Sequence, residues 1–211
     1  MKKPSIDELH NPNFYSLVES FKIDEMMVFL MKELNSKPKT NQSLVMKVIV
    51  IALMACAGAF VGYTLGGKLK EFDIPLIQIS WAFLFLLVVL LPIHEGIHGL
   101  VFKLLGAEKV GFGWTPKSFM VYAYSQKFVM TLKENAIVAV MPFLIITMAL
   151  ILGIFVLPSY KTMFVSALVF HTYGCLGDFI LIKYYWKNRA KQMFTYDDIE
   201  GEKMTYFFEK D

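Results

Sequence analysis

The sequence predicts an α-helical polytopic membrane protein with about four transmembrane helices and a β-hairpin inserted between the second and the third. Three observations carry that prediction. The first is composition: of 211 residues, 56% are apolar and 18% charged, and the mean hydropathy is +0.50. Counting the 13 glycines as well, the apolar share reaches roughly 62%, against about 45–50% for soluble globular domains. A soluble fold of this size has too little interior to hide so much apolar surface. The second is that the apolar residues gather into four blocks, each about long enough to cross ~30 Å of hydrocarbon as helix. The third is a lopsided distribution of Lys and Arg around those blocks.

The same numbers exclude other classes. Nineteen Phe, with abundant Ile, Leu, Val and Met, argue against disorder. A net charge of +3 spread along the chain makes no basic stripe, so no nucleic-acid partner is expected. Two cysteines build no disulfide framework.

Residues 1–43 read as a cytoplasmic amphipathic segment. Within it, residues 13–34 (Phe14, Leu17, Val18, Phe21, Met27, Phe29, Leu30) suit an amphipathic helix, on the inner leaflet or packed as a small cytoplasmic helix. Lys37-Pro38-Lys39-Thr40-Asn41 is a linker. The first span runs from about Leu44 to Leu65, and with a polar stretch before it serves as an uncleaved anchor. The second, from about Ile74 to Leu105, is longer than one crossing requires. Two strand-like runs follow, Val110–Trp114 and Phe119–Tyr124, around the turn sequence Thr115-Pro116-Lys117-Ser118. Such a hairpin either offers an edge to an extended peptide or anchors an interfacial loop through Trp114 and Tyr122. The third span covers Asn135–Leu157, where Pro142 predicts a kink, and the fourth covers Thr162–Ile182. Residues 44–182 thus form the membrane domain. Residues 183–211 form a cytoplasmic tail: its basic part suits a headgroup anchor and its acidic part a solvated end.

Four spans put both termini and the middle connection on one side. That side carries eleven Lys/Arg (Lys32, Lys37, Lys39, Lys109, Lys117, Lys127, Lys133, Lys183, Lys187, Arg189 and Lys191), against Lys68, Lys70 and Lys161 on the other. The bias predicts cytoplasmic termini.

Ionisable residues in apolar spans are costly and tend to face the bundle interior with a function. Here they cluster. The second span carries His94-Glu95-Gly96-Ile97-His98, and the fourth carries His171 and Asp178. Residues four apart share a helix face, so His94 and His98 can both direct an imidazole nitrogen at one ion. Glu95 sits to the side of that pair, where it can act as general base on a water that the ion activates. Two histidines leave a catalytic Zn²⁺ one protein ligand short.

Depth makes Asp178 the first choice for that ligand. His94 lies 19 residues after Pro75, ~28 Å along a helix, and Asp178 lies 16 residues after Thr162, ~24 Å. Both therefore reach the cytoplasmic half of the bilayer. His171, on the same face two turns earlier, suits a fourth ligand, a donor to the transition state, or a hydrogen-bond partner of a ligand. Cys175 rivals Asp178, since a thiolate binds zinc well. Gly174 and Gly177 read as small residues that let the fourth helix approach the second.

The combination of His-Glu-x-x-His in one span, a hairpin-like insert, a Pro-containing span and a Gly-Asp near the end of the last span resembles site-2 protease-type intramembrane zinc metalloproteases. More narrowly, it is similar to a small bacterial family of membrane zincin peptidases, with the likeness running over about residues 74–182. The resemblance implies Zn²⁺ held by His94, His98 and Asp178, with Glu95 as catalytic base and His171 near the substrate-polarising position. It implies a membrane-embedded or membrane-anchored peptide as substrate, cleaved at the bacterial plasma membrane. Leu176-Gly177-Asp178 stands where that type places Leu-Asp-Gly, but with Gly before Asp and no Asn-Pro pair upstream. A metal-binding membrane protein without hydrolysis, acting as a chaperone, immunity or regulatory factor, is the alternative from a different class.

Overall fold

The computed structural model describes residues 3–36, 73–116 and 120–211. The expected first span, Leu44–Leu65, and the linker before it lie outside the described residues. Among those described, two helices are long and apolar enough to cross a membrane, Leu76–Leu104 and Leu132–Val156. A third crossing is added if the broken pair Pro158–Gly174 and Leu176–Asn188 counts as one span. The chain is thus mostly helical with two or three candidate spans and antiparallel sheets.

The elements, in order, are α1 (Ile6–Leu9), β1 (Tyr15–Lys22), α2 (Met26–Asn35), α3 (Asp73–Phe85), a π-helical turn (Leu86–Leu90) and α4 (Leu91–Leu104). They continue with β2 (Val110–Thr115), β3 (Met120–Ser125), β4 (Met130–Thr131), α5 (Leu132–Val156), α6 (Lys161–Gly174), α7 (Leu176–Asn188), β5 (Met193–Asp198) and β6 (Met204–Lys210). They fall into two compact units. One holds the described parts of Met1–Lys37, Glu95–Met141 and Gly177–Asp211; the other holds those of Pro38–His94 and Pro142–Leu176.

The first unit is built on an antiparallel sheet of order β1-β6-β5-β4. One face of this sheet packs Phe21, Met193 and Phe207 against Phe29 and Leu30 of α2, Ile180 and Tyr184 of α7, and Leu132. The other face gathers Leu9, Val129, Phe194, Tyr196, Tyr206 and Phe208. Fully buried aromatic side chains of this kind are each worth on the order of 2–3 kcal/mol in transfer from water. Lys187 Nζ closes the α2–α7 contact by pairing with the buried Glu33 carboxylate at 2.9 Å.

The expected hairpin is present as β2–β3, with Gly111 opposite Tyr124 and Gly113 opposite Tyr122. A Cβ at either glycine would stand 2.4 Å from the facing tyrosine ring, so the missing side chains are what let the rings lie across the strand. Gln126 ties the hairpin to the sheet. Its amide donates to Asp198 Oδ1 at 2.6 Å, and its carbonyl accepts from the backbone N–H groups of Ile199 and Glu200.

Three expectations are corrected. Residues 13–34 do not form one helix: Tyr15–Lys22 is a strand, and only Met26–Asn35 is α-helical. The apolar positions 14, 17, 18 and 21 match a helical period, but β6, almost the whole chain away, supplies a ladder partner that overrides the local pattern. The acidic tail is a solvated end only in part: Glu200 and Glu202 are exposed in a turn, but Asp197 and Asp198 close strand β5 and Asp198 is buried. The fourth span is not one continuous helix, since it is interrupted at Cys175. Pro142, by contrast, stands inside α5 without ending it.

In the second unit α3 runs beside α6. Gln78 fixes the start of α6, donating to Ser159 O at 2.9 Å and accepting from the Met163 N–H at 3.1 Å. Phe83 meets Phe170 edge-on at 6.1 Å, and Gly153 leaves room for the Phe164 ring, which a Cβ would meet at 2.7 Å. An apolar groove of about 740 Å³ opens along Trp81, Leu84, Phe85 and Val88 of this unit.

Burial raises the Asp197 carboxyl to about 6, although the Thr205 hydroxyl, donating at 2.7 Å, acts the other way. Because the folded value lies above the unfolded one, this group's contribution to stability is greatest below pH ~4 and falls as pH rises to ~6. The detergent-solubilised D197N variant should therefore gain stability relative to wild type between pH 4 and pH 7, on the order of 1–2 kcal/mol. Parallel melting curves across that range check the expectation.

Candidate metal centre

The helix that carries His94, Glu95 and His98 is locally irregular just before them. In the π-helical turn Leu86–Leu90 the ladder lengthens, with the Leu91 N–H reaching back to Leu86 O. Pro92 has no N–H to offer and cannot continue a regular ladder, and a π turn is a common adjustment to such a break. The extra residue resets the helical phase ahead of His94. From Leu91 the helix is regular, and His94, Glu95 and His98 are all buried. Their ligand atoms lie within 4.8 Å of one another.

The first unit joins His98 to Asp178. His98 Nε2 stands 3.4 Å from Asp178 Oδ1. His98 Nδ1 lies 2.9 Å from Val138 O. A carbonyl only accepts, so Nδ1 carries the donated proton and Nε2 is the atom presented toward Asp178 or an ion. This arrangement, a ligand nitrogen opposite a backbone-bound one, is how metal-ligating histidines are commonly oriented. A tetrahedral zinc ion with bonds of ~2.0–2.2 Å sets its N and O ligands about 3.3–3.5 Å apart. The His98–Asp178 spacing fits.

The second unit groups His94 with His171 and Cys175. His94 Nδ1 lies 3.3 Å from His171 Nε2, and Cys175 Sγ lies 3.5 Å from His171 Nε2 and 4.0 Å from His94 Nδ1. All three are buried. The His171 ring lies nearly parallel to Phe143, 5° between planes and 6.3 Å between centroids. Helix α6 ends one residue before Cys175, whose N–H still bonds to His171 O at 3.0 Å.

Of the five site residues expected from sequence, four are placed in two groupings, His98 beside Asp178 and His94 beside His171, and Glu95 lies with the His94–His98 turn. The picture of His171 and Asp178 two turns apart on one helix is corrected, because the interruption at Cys175 puts them on separate helices. The glycine reading is corrected too: among the described residues, a Cβ at Gly174 would meet nothing within 4 Å, and one at Gly177 would touch only Leu30. The close-approach glycine is Gly99, next to His98, where a Cβ would stand 3.0 Å from the Phe112 ring and 3.3 Å from Val110. The hairpin thus closes on the site helix one residue from His98. Sequence reasoning also missed the Val138 carbonyl and Phe143. No side-chain signal marks a backbone acceptor, whereas Pro92 is a signal from which the irregular turn could have been found.

A family model described as "Putative zincin peptidase" matches residues 87–193, about half of the chain. No curated protein matches the chain, and neither does any solved structure.

Gly99→Leu should force the hairpin off α4 and lower stability by about 1–3 kcal/mol, the usual cost of overpacking. Trimming the opposing ring with Phe112→Ala should restore most of the loss, which thermal unfolding of the single and double variants measures.

Proposed function

The chain belongs to the zincin peptidase family whose model it matches, and from that premise we propose that it is an intramembrane zinc metallopeptidase acting on membrane-embedded or membrane-anchored peptides. In this reading His94, His98 and Asp178 hold the ion. Zinc, when bound, supplies a Lewis acid that acidifies water and polarises a carbonyl. The observation that carries the reading is the buried helical turn bearing two imidazoles and a carboxylate, with His98 Nε2 oriented by Val138 and 3.4 Å from Asp178.

Glu95 is the base. One position along the helix from His94, its carboxylate takes a proton from the attacking water and delivers it to the nitrogen of the departing amine. Burial serves this role, because a carboxylate shielded from bulk water holds and releases its proton at the reacting atoms rather than to solvent. His171, whose Nε2 lies 3.3 Å from His94 Nδ1, holds that imidazole in place. Strand β2 is the outer strand of the two-stranded hairpin and packs beside α4 at Gly99. Its edge suits pairing with an unwound, extended substrate segment.

Sidedness follows from charge and pairing together. Strands β1, β4, β5 and β6 share one sheet, which supports placing the segments that bear them in one compartment. The excess of Lys and Arg in those segments supports the cytoplasm. The exposed apolar residues of α2, Met27, Val28, Met31 and Leu34, suit contact with the inner leaflet.

Glu95→Gln preserves the shape of the site and removes its base. The variant should keep its metal content and melting temperature while cleavage of a membrane-anchored reporter peptide falls at least ~10²-fold. Wild-type protein stripped by a chelator should lose cleavage and regain it with Zn²⁺. Undiminished cleavage by E95Q overturns the assignment of the base.

A further inference from the structure

The peptidase reading uses His94 but leaves Cys175 without a role. We propose that His94, His171 and Cys175 form a second metal-ligand set with a thiolate donor, and that the two sets compete for His94. The thiolate set takes from the proposed function only that the chain binds a zinc-like ion, whereas the competition rests on the ligand set proposed there.

The geometry is that of a tetrahedral site. Bonds of ~2.0–2.1 Å to nitrogen and ~2.3 Å to sulfur, at the tetrahedral angle, place two nitrogens about 3.3–3.4 Å apart and nitrogen and sulfur about 3.5–3.6 Å apart. The corresponding distances are 3.3 Å for His94 Nδ1 to His171 Nε2, 3.5 Å for His171 Nε2 to Cys175 Sγ, and 4.0 Å for His94 Nδ1 to Cys175 Sγ. Two of the three match, and the third is longer by about 0.4 Å. All three residues are buried in the second unit, with their ligand atoms within 4.8 Å of one another.

The local chain explains the convergence. His171 and Cys175 are four residues apart, the spacing that also aligns His94 with His98, and Cys175 caps the helix that ends at Gly174, its N–H still bonded to His171 O. The nearly parallel Phe143 ring restricts the imidazole of His171. Nitrogen and thiolate donors together are the preferred chemistry of zinc and of its spectroscopic substitute cobalt(II). As the sulfur–metal bond forms, the Cys175 thiol releases its proton to solvent, so loading is favoured by rising pH.

Sharing His94 has a consequence. An ion held by the thiolate set withdraws His94 from the set containing His98 and Asp178. The thiolate set is therefore a resting position, and occupancy of the peptidase set requires Cys175 to let go. Sulfur donation also leaves the ion a weaker Lewis acid than nitrogen and carboxylate donors do.

The test is metal-reconstituted full-length protein in detergent, loaded with one equivalent of Co²⁺ and, in parallel, Zn²⁺. Wild type should show a thiolate-to-cobalt charge-transfer band in the near ultraviolet and a sulfur shell at ~2.3 Å in zinc X-ray absorption. H98A and D178A should keep both signatures. C175S and H171A should lose them, with C175S still binding an ion through nitrogen and oxygen alone. Stoichiometric metal in wild type without a sulfur signature overturns this inference and leaves the peptidase reading standing. A sulfur signature that disappears in H98A or D178A also overturns it, because the two sets would then be one. A sulfur signature retained in a protein that cleaves no reporter leaves this inference standing and counts against the peptidase reading. Absence of metal binding overturns both.

Discussion

Burying imidazoles and a carboxylate in an apolar helix is the constraint on which this structure depends. Each such group loses its hydration, and in a low-dielectric setting it persists only with partners placed around it. The fold supplies those partners from several directions: a backbone carbonyl at Val138, a carboxylate at Asp178, a second imidazole at His171 and a thiol at Cys175. Each of these lies 40 or more residues in sequence from the histidine of the His94–His98 turn that it meets. The site is therefore a product of packing around one helix rather than of that helix alone.

The soluble-looking part of the molecule is organised around the same helix. A four-stranded sheet takes its strands from both ends of the chain and from the segment that follows the hairpin. Gln126 binds the turn between β5 and β6, and the hairpin that it anchors meets α4 at Gly99. Within this unit a mechanical connection therefore runs from the sheet, through the hairpin, to the residue beside His98. Glycine suits that point, since a Cβ there would stand 3.0 Å from the Phe112 ring and push it aside by a few tenths of an ångström.

Much of the site was legible beforehand because its signal is chemical and local. Polar residues stand out in an apolar run, and four-residue spacing fixes a shared face whatever the surroundings. The hairpin was legible for a similar reason, since two β-prone runs around Thr-Pro-Lys-Ser leave few alternatives. Strand β1 was not. Phe14, Leu17, Val18 and Phe21 satisfy a helical period, and only the hydrogen-bond ladder offered by β6 selects the extended form. The acidic tail was misread for the same reason: charge suggests solvent until Gln126, Lys127 and the Gly201 N–H are seen around Asp198.

What the sequence determined by itself is the chemistry available and the environment it must work in: apolar spans, and a His-Glu-x-x-His turn within one of them. These follow from composition and helical geometry, which are properties of neighbouring residues. Tertiary structure alone decided which distant groups face each histidine. An interruption at Cys175 separates His171 from Asp178, so that one turns up beside His94 and the other beside His98. Helical spacing would have kept them together on one face, and a single break in the hydrogen-bond ladder was enough to set them apart.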